Sequence, residues 1–412
     1  MHLDMNAKTQ NKTAHFLELE EKYGAHNYHP LPVVLDRGEG IFLWDVDGKK
    51  YFDFLSAYSA VNHGHCHPRL VKALSDQAQK LTLTSRAFHS DLLGLYVEKM
   101  NNVFGYDKVL PMNTGVEAVE TSLKLCRKWA YKNKGIPEGK AKVIVCQGNF
   151  HGRTIGVISF SSDPSAKAGF GPFLPGFISI PYNDTAALAK ALEDPEVAGF
   201  LVEPIQGEAG VIVPADGYLK ECKRLCEQAN ILFIADEIQT GLCRTGRLLA
   251  CDHEEVRPDI VLLGKALGGG MIPVSAVLAD DEIMLSIAPG EHGSTYGGNP
   301  LACRIAIESI DILLEEKLEQ NARRMGNLLL EGLCSFKSPH IKEVRGKGLL
   351  CAIHLQHPDK EAAWKLCLEM MKRGLLAKPT QGDRIRFAPP LTITEEQLRE
   401  CIGIIKNTLE KF

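Results

Sequence analysis

Short runs of consecutive apolar residues fill the middle of this chain, and between them apolar residues return at every third or fourth position. Val143-Ile-Val-Cys146, Gly199-Phe-Leu-Val-Glu-Pro-Ile205, Ile231-Leu-Phe-Ile-Ala-Asp236 and Asp259-Ile-Val-Leu-Leu263 are runs of the first kind. Runs without alternation predict strands covered on both faces, and the helical stretches between them predict parallel βα units. One such helix spans 218–229. Another opens at Thr114, where Thr114 and Glu117 have capping-box spacing, and places Val119, Leu123, Cys126 and Ala130 along one stripe.

Both flanks read differently. Residues 1–22 suggest a tail running into a short helix, and Tyr23–Pro30 is too punctuated by Gly, His and Pro to continue it. Ile41–Gly48 followed by Lys50–Leu55 predicts a hairpin turned at Asp47-Gly48. From about Gly290 a loop leads into a long helix beginning near Pro300 and a second over 320–333. Strands near 342–355 and 383–388, a helix at 359–373, and a final helix capped by Thr394 with Gln397 complete the chain. The pattern predicts an α/β protein: an N-terminal segment (1–60), a large domain with a mostly parallel sheet flanked by helices (61–298), and a smaller C-terminal α+β domain (299–412).

Composition narrows the function classes. The 412 residues are 45% hydrophobic and 24% charged, with a net charge of −4, so no basic excess exists to neutralise nucleic-acid phosphates. The longest apolar runs are strand-sized, which excludes a spanning helix. The first fifteen residues contain no Arg, and Asp4 interrupts them; a cytoplasmic location is expected, or the mitochondrial matrix if a leader was removed. Twelve cysteines without any Cys-x-x-Cys suggest reduced structural thiols, with Cys222 and Cys226 one helical turn apart on a buried face.

The chemistry sits at strand ends. In a parallel sheet, ligands bind outside the carboxyl ends of the strands, so Glu203, Asp236 and Lys265 point toward one crevice. A lysine leaving a buried strand favours its neutral, nucleophilic amine. A buried Asp236 must be paired, either with Lys265 or with a cation lying between them. The helix start at Thr114-Gly115 is an anion site or an ordinary capped helix. Phe150 and Arg153, at the exit of another strand, can stack on a flat ring and hold a carboxylate, or are simple rim residues. His63-Gly-His-Cys-His67 has ligands that suit zinc, but Gly64 and Pro68 mark a loop, and turn and packing roles are favoured. One small molecule has an anionic group, a flat ring, a ring cation and a carbonyl together: pyridoxal 5′-phosphate. The competing dinucleotide reading lacks a Gly-x-Gly-x-x-Gly turn.

Six motifs, in order along the chain, carry a resemblance: Gly24-Ala-His-Asn-Tyr-His-Pro30, Met112-Asn-Thr-Gly-Val-Glu117, Val202-Glu-Pro-Ile-Gln-Gly-Glu208, Ala235-Asp-Glu-Ile-Gln-Thr-Gly241, Leu263-Gly-Lys-Ala-Leu267 and Gly293-Ser-Thr-Tyr-Gly-Gly-Asn-Pro300. From Tyr23 to the C-terminus the chain resembles the class III, fold-type I pyridoxal-phosphate aminotransferases. The resemblance implies that Lys265 condenses with the cofactor carbonyl and then moves the substrate proton. It implies that Asp236 pairs the pyridine nitrogen, that Gln239 lies near the ring oxygen, and that Phe150 and Ile238 sandwich the ring. Gly115 and Val116 are implied to bind the phosphate through their amides. Thr295 is implied to reach the phosphate of the other subunit, in a homodimer with the cofactor site at the subunit interface. For substrates the resemblance implies L-ornithine, its remote end held by Tyr28 and Arg153 in a pocket shaped by Tyr58, and 2-oxoglutarate, its α-carboxylate held by Arg386. Glu208 is implied to cover Arg386 in the first half-reaction and to swing away in the second. N-acetylornithine and 4-aminobutyrate transaminases of the same class are the nearest rivals; a catalytically silent scaffold and a dinucleotide-dependent oxidoreductase are the readings from other classes.

Overall fold

The computed structural model describes residues 12–412, so the tail expected over residues 1–11 lies outside the described residues. At its centre is a seven-stranded sheet in the spatial order Lys108–Met112, Ser275–Ala279, Ile260–Leu263, Leu232–Asp236, Val197–Val202, Lys142–Cys146, Phe177–Ile180. Neighbours from Ile260–Leu263 onward run parallel. Every residue of Val197–Val202, Leu232–Asp236 and Ile260–Leu263 is buried, as runs without alternation require. Ser275–Ala279 was not foreseen. It follows the glycine turn after Lys265 and slots in antiparallel to both neighbours.

Helix Gly115–Trp129 covers one face of this sheet. Its capping box forms as expected, and Val119, Leu123, Cys126 and Ala130 are all buried. On the opposite face, Cys222 and Cys226 of helix Tyr218–Gln228 enter one apolar cluster. All twelve cysteines are free thiols.

The expected hairpin pairs Phe42–Asp45 with Lys50–Asp53 in the register Phe42↔Phe52, Leu43↔Tyr51, Trp44↔Lys50. Gly48 takes φ +87° in its turn, a left-handed conformation that costs glycine little. Leu35–Glu39 widens the hairpin on one edge, and Leu375–Leu376, from far along the chain, adds a parallel strand on the other. A second four-stranded sheet orders Ile341–Lys347, Leu350–Leu355, Arg384–Phe387 and Lys378–Thr380.

Helix Pro300–Glu315 packs on Pro68–Lys80 and Asp91–Phe104. The final helix, Glu395–Leu409, has its Thr394–Gln397 capping box. The helix expected from 359 begins at Ala362, because Asp359 instead turns back to accept the Glu361 N–H at 2.9 Å. The histidines of the 63–67 segment go separate ways: His63 Nε2 to the Ser309 carbonyl (3.0 Å), His65 Nε2 to Asp53 (2.8 Å) and His67 Nε2 to Glu316 (3.1 Å).

Candidate active site

The parallel strands deliver their last residues to one place. Lys265 begins a 3-10 turn two residues beyond Ile260–Leu263, with φ +44°, a left-handed conformation rare for a lysine. Such local strain concentrates at functional sites. Burial drives the Lys265 amine toward its neutral form and outweighs the opposing pull of Glu208 and Asp236. Asp236 ends the strand Leu232–Asp236 and is 5% exposed. Its Oδ2 accepts a hydrogen bond from His151 Nδ1 at 2.6 Å, and its Oδ1 accepts the Ile238 N–H at 3.1 Å. Asp236 therefore pairs with a histidine rather than with Lys265.

His151 is itself buried. Burial opposes its charge, yet the hydrogen bond and charge of Asp236 win, and its proton affinity rises. Its Nε2 is buried without a hydrogen-bond partner among the described residues. Glu203 follows the strand Val197–Val202 and accepts the Phe150 N–H at 2.9 Å. Burial, with the nearby Asp236 charge, pushes its carboxyl up to about 7.

These groups line a cavity of about 250 Å³ together with Gly115, Val116, Phe150, Arg153, Ile238 and Gln239. At one end is the start of helix Gly115–Trp129. Thr114 takes the Glu117 N–H on its hydroxyl (3.3 Å) and the Ala118 N–H on its carbonyl (3.2 Å), which leaves the first-turn amides of Gly115 and Val116 for an anion. A side chain at Gly115 would come within 3.1 Å of Ile238 Cγ2, so the glycine keeps the helix start close to that wall. A second cavity of about 260 Å³ shares Phe150 and Arg153 and adds Glu208 and Arg384.

Between the cavities lies a closed polar triangle. Arg386 Nη1 donates to Glu208 Oε1 at 2.7 Å and to Gln239 Oε1 at 3.1 Å, and Gln239 Nε2 donates to Glu208 Oε1 at 3.2 Å. Burial works against the Glu208 charge, but Arg386 and Lys265 outweigh it and hold the carboxyl below its usual range. The Tyr58 ring lies 5.2 Å from the Arg386 guanidinium. Tyr58 belongs to a left-handed turn, Ser56 to Ser59, held by Asp53 Oδ1 on the Ser56 N–H (2.8 Å) and by Ser56 Oγ on the Ala388 carbonyl (2.7 Å).

The expected residues Lys265, Asp236, Gly115, Val116, Phe150, Ile238, Gln239 and Arg153 thus come together in one cavity. Arg153 sits 5.3 Å over the Phe150 ring. Tyr28 is 72% exposed, with Lys378 Nζ 5.6 Å from its ring. Thr295 is exposed and lines neither cavity. Sequence reasoning missed His151, although it adjoins Phe150 and a buried aspartate needs a donor. It also missed Arg244, which is wholly buried and donates to the carbonyls of Leu349 (2.9 Å) and Pro389 (2.6 Å) and to Asn62 Oδ1 (2.5 Å).

Pyridoxal 5′-phosphate fits these donors. The free helix-start amides suit its phosphate, and the Phe150 and Ile238 side chains lining the cavity suit a flat ring. The His151-backed Asp236 carboxylate suits a ring cation, and the Lys265 amine, shifted toward its neutral form by burial, suits a carbonyl.

A family model described as aminotransferase class-III matches residues 23–409. An ornithine aminotransferase, mitochondrial, from Rattus norvegicus is 61% identical over 97% of this chain and 91% of its own. The crystal structure of the ornithine aminotransferase from Toxoplasma gondii superposes with a TM-score of 0.95, at 48% identity, over 98% of this chain and 96% of the other. That of an acetylornithine aminotransferase from Elizabethkingia anophelis gives 0.90, at 56% identity, over 98% and 100%.

Proposed function

This chain belongs to the class-III aminotransferase family, and from that premise and the site geometry we infer its reaction. It transfers the δ-amino group of L-ornithine to 2-oxoglutarate by ping-pong exchange, giving glutamate 5-semialdehyde, which closes to pyrroline-5-carboxylate, and glutamate. Pyridoxal 5′-phosphate supplies, when bound, a carbonyl that condenses with primary amines and a cationic ring that draws electrons from the bond being broken.

The side chains divide the remaining work. Lys265 Nζ, shifted toward its neutral form by burial, is the amine for that carbonyl and the base that carries the substrate proton. Asp236, oriented by His151, holds a proton on the ring nitrogen. Gly115 and Val116 would hold the phosphate through their amides, Phe150 and Ile238 would hold the ring, and Gln239 would serve its oxygen. Arg153 and Tyr28 take the remote carboxylate and amine of ornithine, with Tyr58 shaping the pocket between.

The observation that carries the substrate assignment is Glu208 on Arg386 at 2.7 Å. With the pair closed, the cation beside Lys265 is neutralised and an α-carboxylate gains nothing by binding there. Ornithine then enters with its δ-amine forward. When Glu208 leaves, Arg386 is free for the α-carboxylate of 2-oxoglutarate. One site thus serves two substrates of different length.

The Elizabethkingia relative's name keeps N-acetylornithine as the competing donor. Mixing the cofactor-loaded protein with L-ornithine, N-acetylornithine or 4-aminobutyrate, without keto acid, separates them. Fast loss of visible absorbance with ornithine alone is expected. Faster loss with either rival overturns the substrate assignment.

A homodimer belongs to the same proposal. Thr295 is exposed, and Tyr296 (57% exposed) and Phe88 (71% exposed) are large exposed aromatics of the kind a partner subunit covers; sedimentation of the purified protein tests it. The division at residue 298 is supported by the separate central and C-terminal sheets on either side; the N-terminal sheet up to residue 60 is completed by Leu375–Leu376 of the C-terminal segment. For the compartment we propose the cytoplasm. The rat relative's name carries the word mitochondrial, and fractionation of source cells distinguishes the two.

A further inference from the structure

We propose that Thr380 and Arg384 are positioning residues for the Glu208–Arg386 pair: they grip the backbone of the loop that carries Glu208, so that substrate exchange rotates the Glu208 side chain and leaves its loop in place. The proposal rests on the reading of Glu208 as the cover of Arg386.

Three successive carbonyls of the loop each accept a hydrogen bond from one sheet. The Glu208 carbonyl takes Thr380 Oγ1 at 2.9 Å, the Ala209 carbonyl takes Arg384 Nη1 at 3.1 Å, and the Gly210 carbonyl takes Arg345 Nε at 2.9 Å. Strand register explains why all three donors face the loop. Arg345, Ala352, Arg386 and Lys378 stand opposite one another across four strands, and His354, Arg384 and Thr380 form the neighbouring row. Residues directly paired across strands share a face, as do residues two apart on one strand. The arginine that Glu208 covers and the donors that hold the Glu208 loop are therefore one surface. Ala352, small, leaves room between the two arginines of its row.

The loop is shaped for this contact. Gly210 has φ +97°, and a side chain there would lie 2.2 Å from Arg384 Cδ; the arginine passes where only glycine allows it. Gln206 and Ile212 close the loop with reciprocal backbone hydrogen bonds of 3.1 and 2.9 Å. Fixed at its base and on three carbonyls, the loop leaves the Glu208 side-chain torsions as the free motion. The grip sets how often Arg386 stands uncovered, and so how well the site rejects an amino acid that offers its α-carboxylate there.

The test compares L-ornithine with L-glutamate as amino donors in single-turnover bleaching of the cofactor-loaded protein. Thr380→Val removes the hydroxyl donor at nearly constant shape. One lost hydrogen bond is expected to lower the ornithine-to-glutamate ratio of bleaching rate over dissociation constant by about 2- to 12-fold. Thr380→Ser is expected to retain the ratio. A second readout needs no cofactor: amide hydrogen exchange across 206–212 is expected to quicken in Thr380→Val and to stay unchanged in Thr380→Ser. If Glu208→Ala lowers the ratio while Thr380→Val moves neither the ratio nor the exchange, the grip is refuted and the cover stands. If Glu208→Ala leaves the ratio alone, the cover reading fails and takes the grip with it.

Discussion

Arg386 and Glu208 are 178 residues apart in sequence, yet their charged groups meet at 2.7 Å, with 3% of the arginine side chain and 23% of the glutamate side chain exposed. A buried ion pair adds little net stability, but removing one partner strands the other charge. The pair is thus suited to exchange, since an incoming carboxylate restores what Glu208 gives up.

Arg386→Lys keeps the charge and loses the planar fork. Apparent binding of 2-oxoglutarate is expected to weaken by about 10- to 100-fold, the range of a lost hydrogen bond to a charged group. The ornithine half-reaction should change much less. Single-turnover titration of each half-reaction checks the difference; equal losses in both would place Arg386 outside carboxylate binding.

Lys265→Ala removes the buried amine that burial shifts toward its neutral form. Steady-state turnover is expected to fall by at least about 10³-fold, the scale of losing a positioned proton carrier and nucleophile. Quenching of intrinsic fluorescence on adding the cofactor should persist, because the helix-start amides and Asp236 remain. Retained turnover would remove Lys265 from the reaction.

Glu203 makes stability depend on pH. Its carboxyl is pushed up to about 7 by burial and by the Asp236 charge, against an ordinary value of 4.5. Between those values the folded protein holds a proton that the unfolded chain has released, so this group makes the fold less stable as pH rises through the interval. Above about 7 the penalty is constant. Thermal melts of Glu203→Gln from pH 5 to 7 should show a shallower decline than the parent; parallel curves would contradict the assignment.

Arg244→Met fills similar space but leaves the Leu349 and Pro389 carbonyls and Asn62 Oδ1 without this donor. Burial already brings the guanidinium down to about 9, so losing the charge itself offsets part of the cost. The unmet acceptors dominate, and a net loss of about 3 kcal/mol is expected. Urea unfolding with the cofactor absent measures it, and a change below roughly 0.5 kcal/mol would show that water or a backbone shift serves those acceptors.

Much of this architecture was legible in local pattern. The continuous apolar runs were buried strands, the Thr114–Glu117 and Thr394–Gln397 boxes capped their helices, and Glu203, Asp236 and Lys265 met because ends of parallel strands lie side by side. Other features left little local trace. Leu375–Leu376 is too short for any periodicity, yet it pairs with Lys50–Asp53. Ser275–Ala279 pairs on one side with the strand just before it, Ile260–Leu263, but on the other with Lys108–Met112, from far earlier in the chain. Beyond its place next to Phe150 at a strand exit, nothing in the sequence marks His151 as the partner of Asp236.

Periodicity, capping and turn chemistry act over a few residues, so the order of residues alone set which segments became strands and helices, which faces were buried, and that a lysine would leave a dry strand. Pairing is different. Whether Asp236 met Lys265 or His151, which strand filled the gap beside Ile260–Leu263, and how Arg345, Arg384 and Thr380 aligned beneath the Glu208 loop depended on which surfaces folding brought together. A buried polar group needs a partner, but the need does not name one; register and packing between distant strands do.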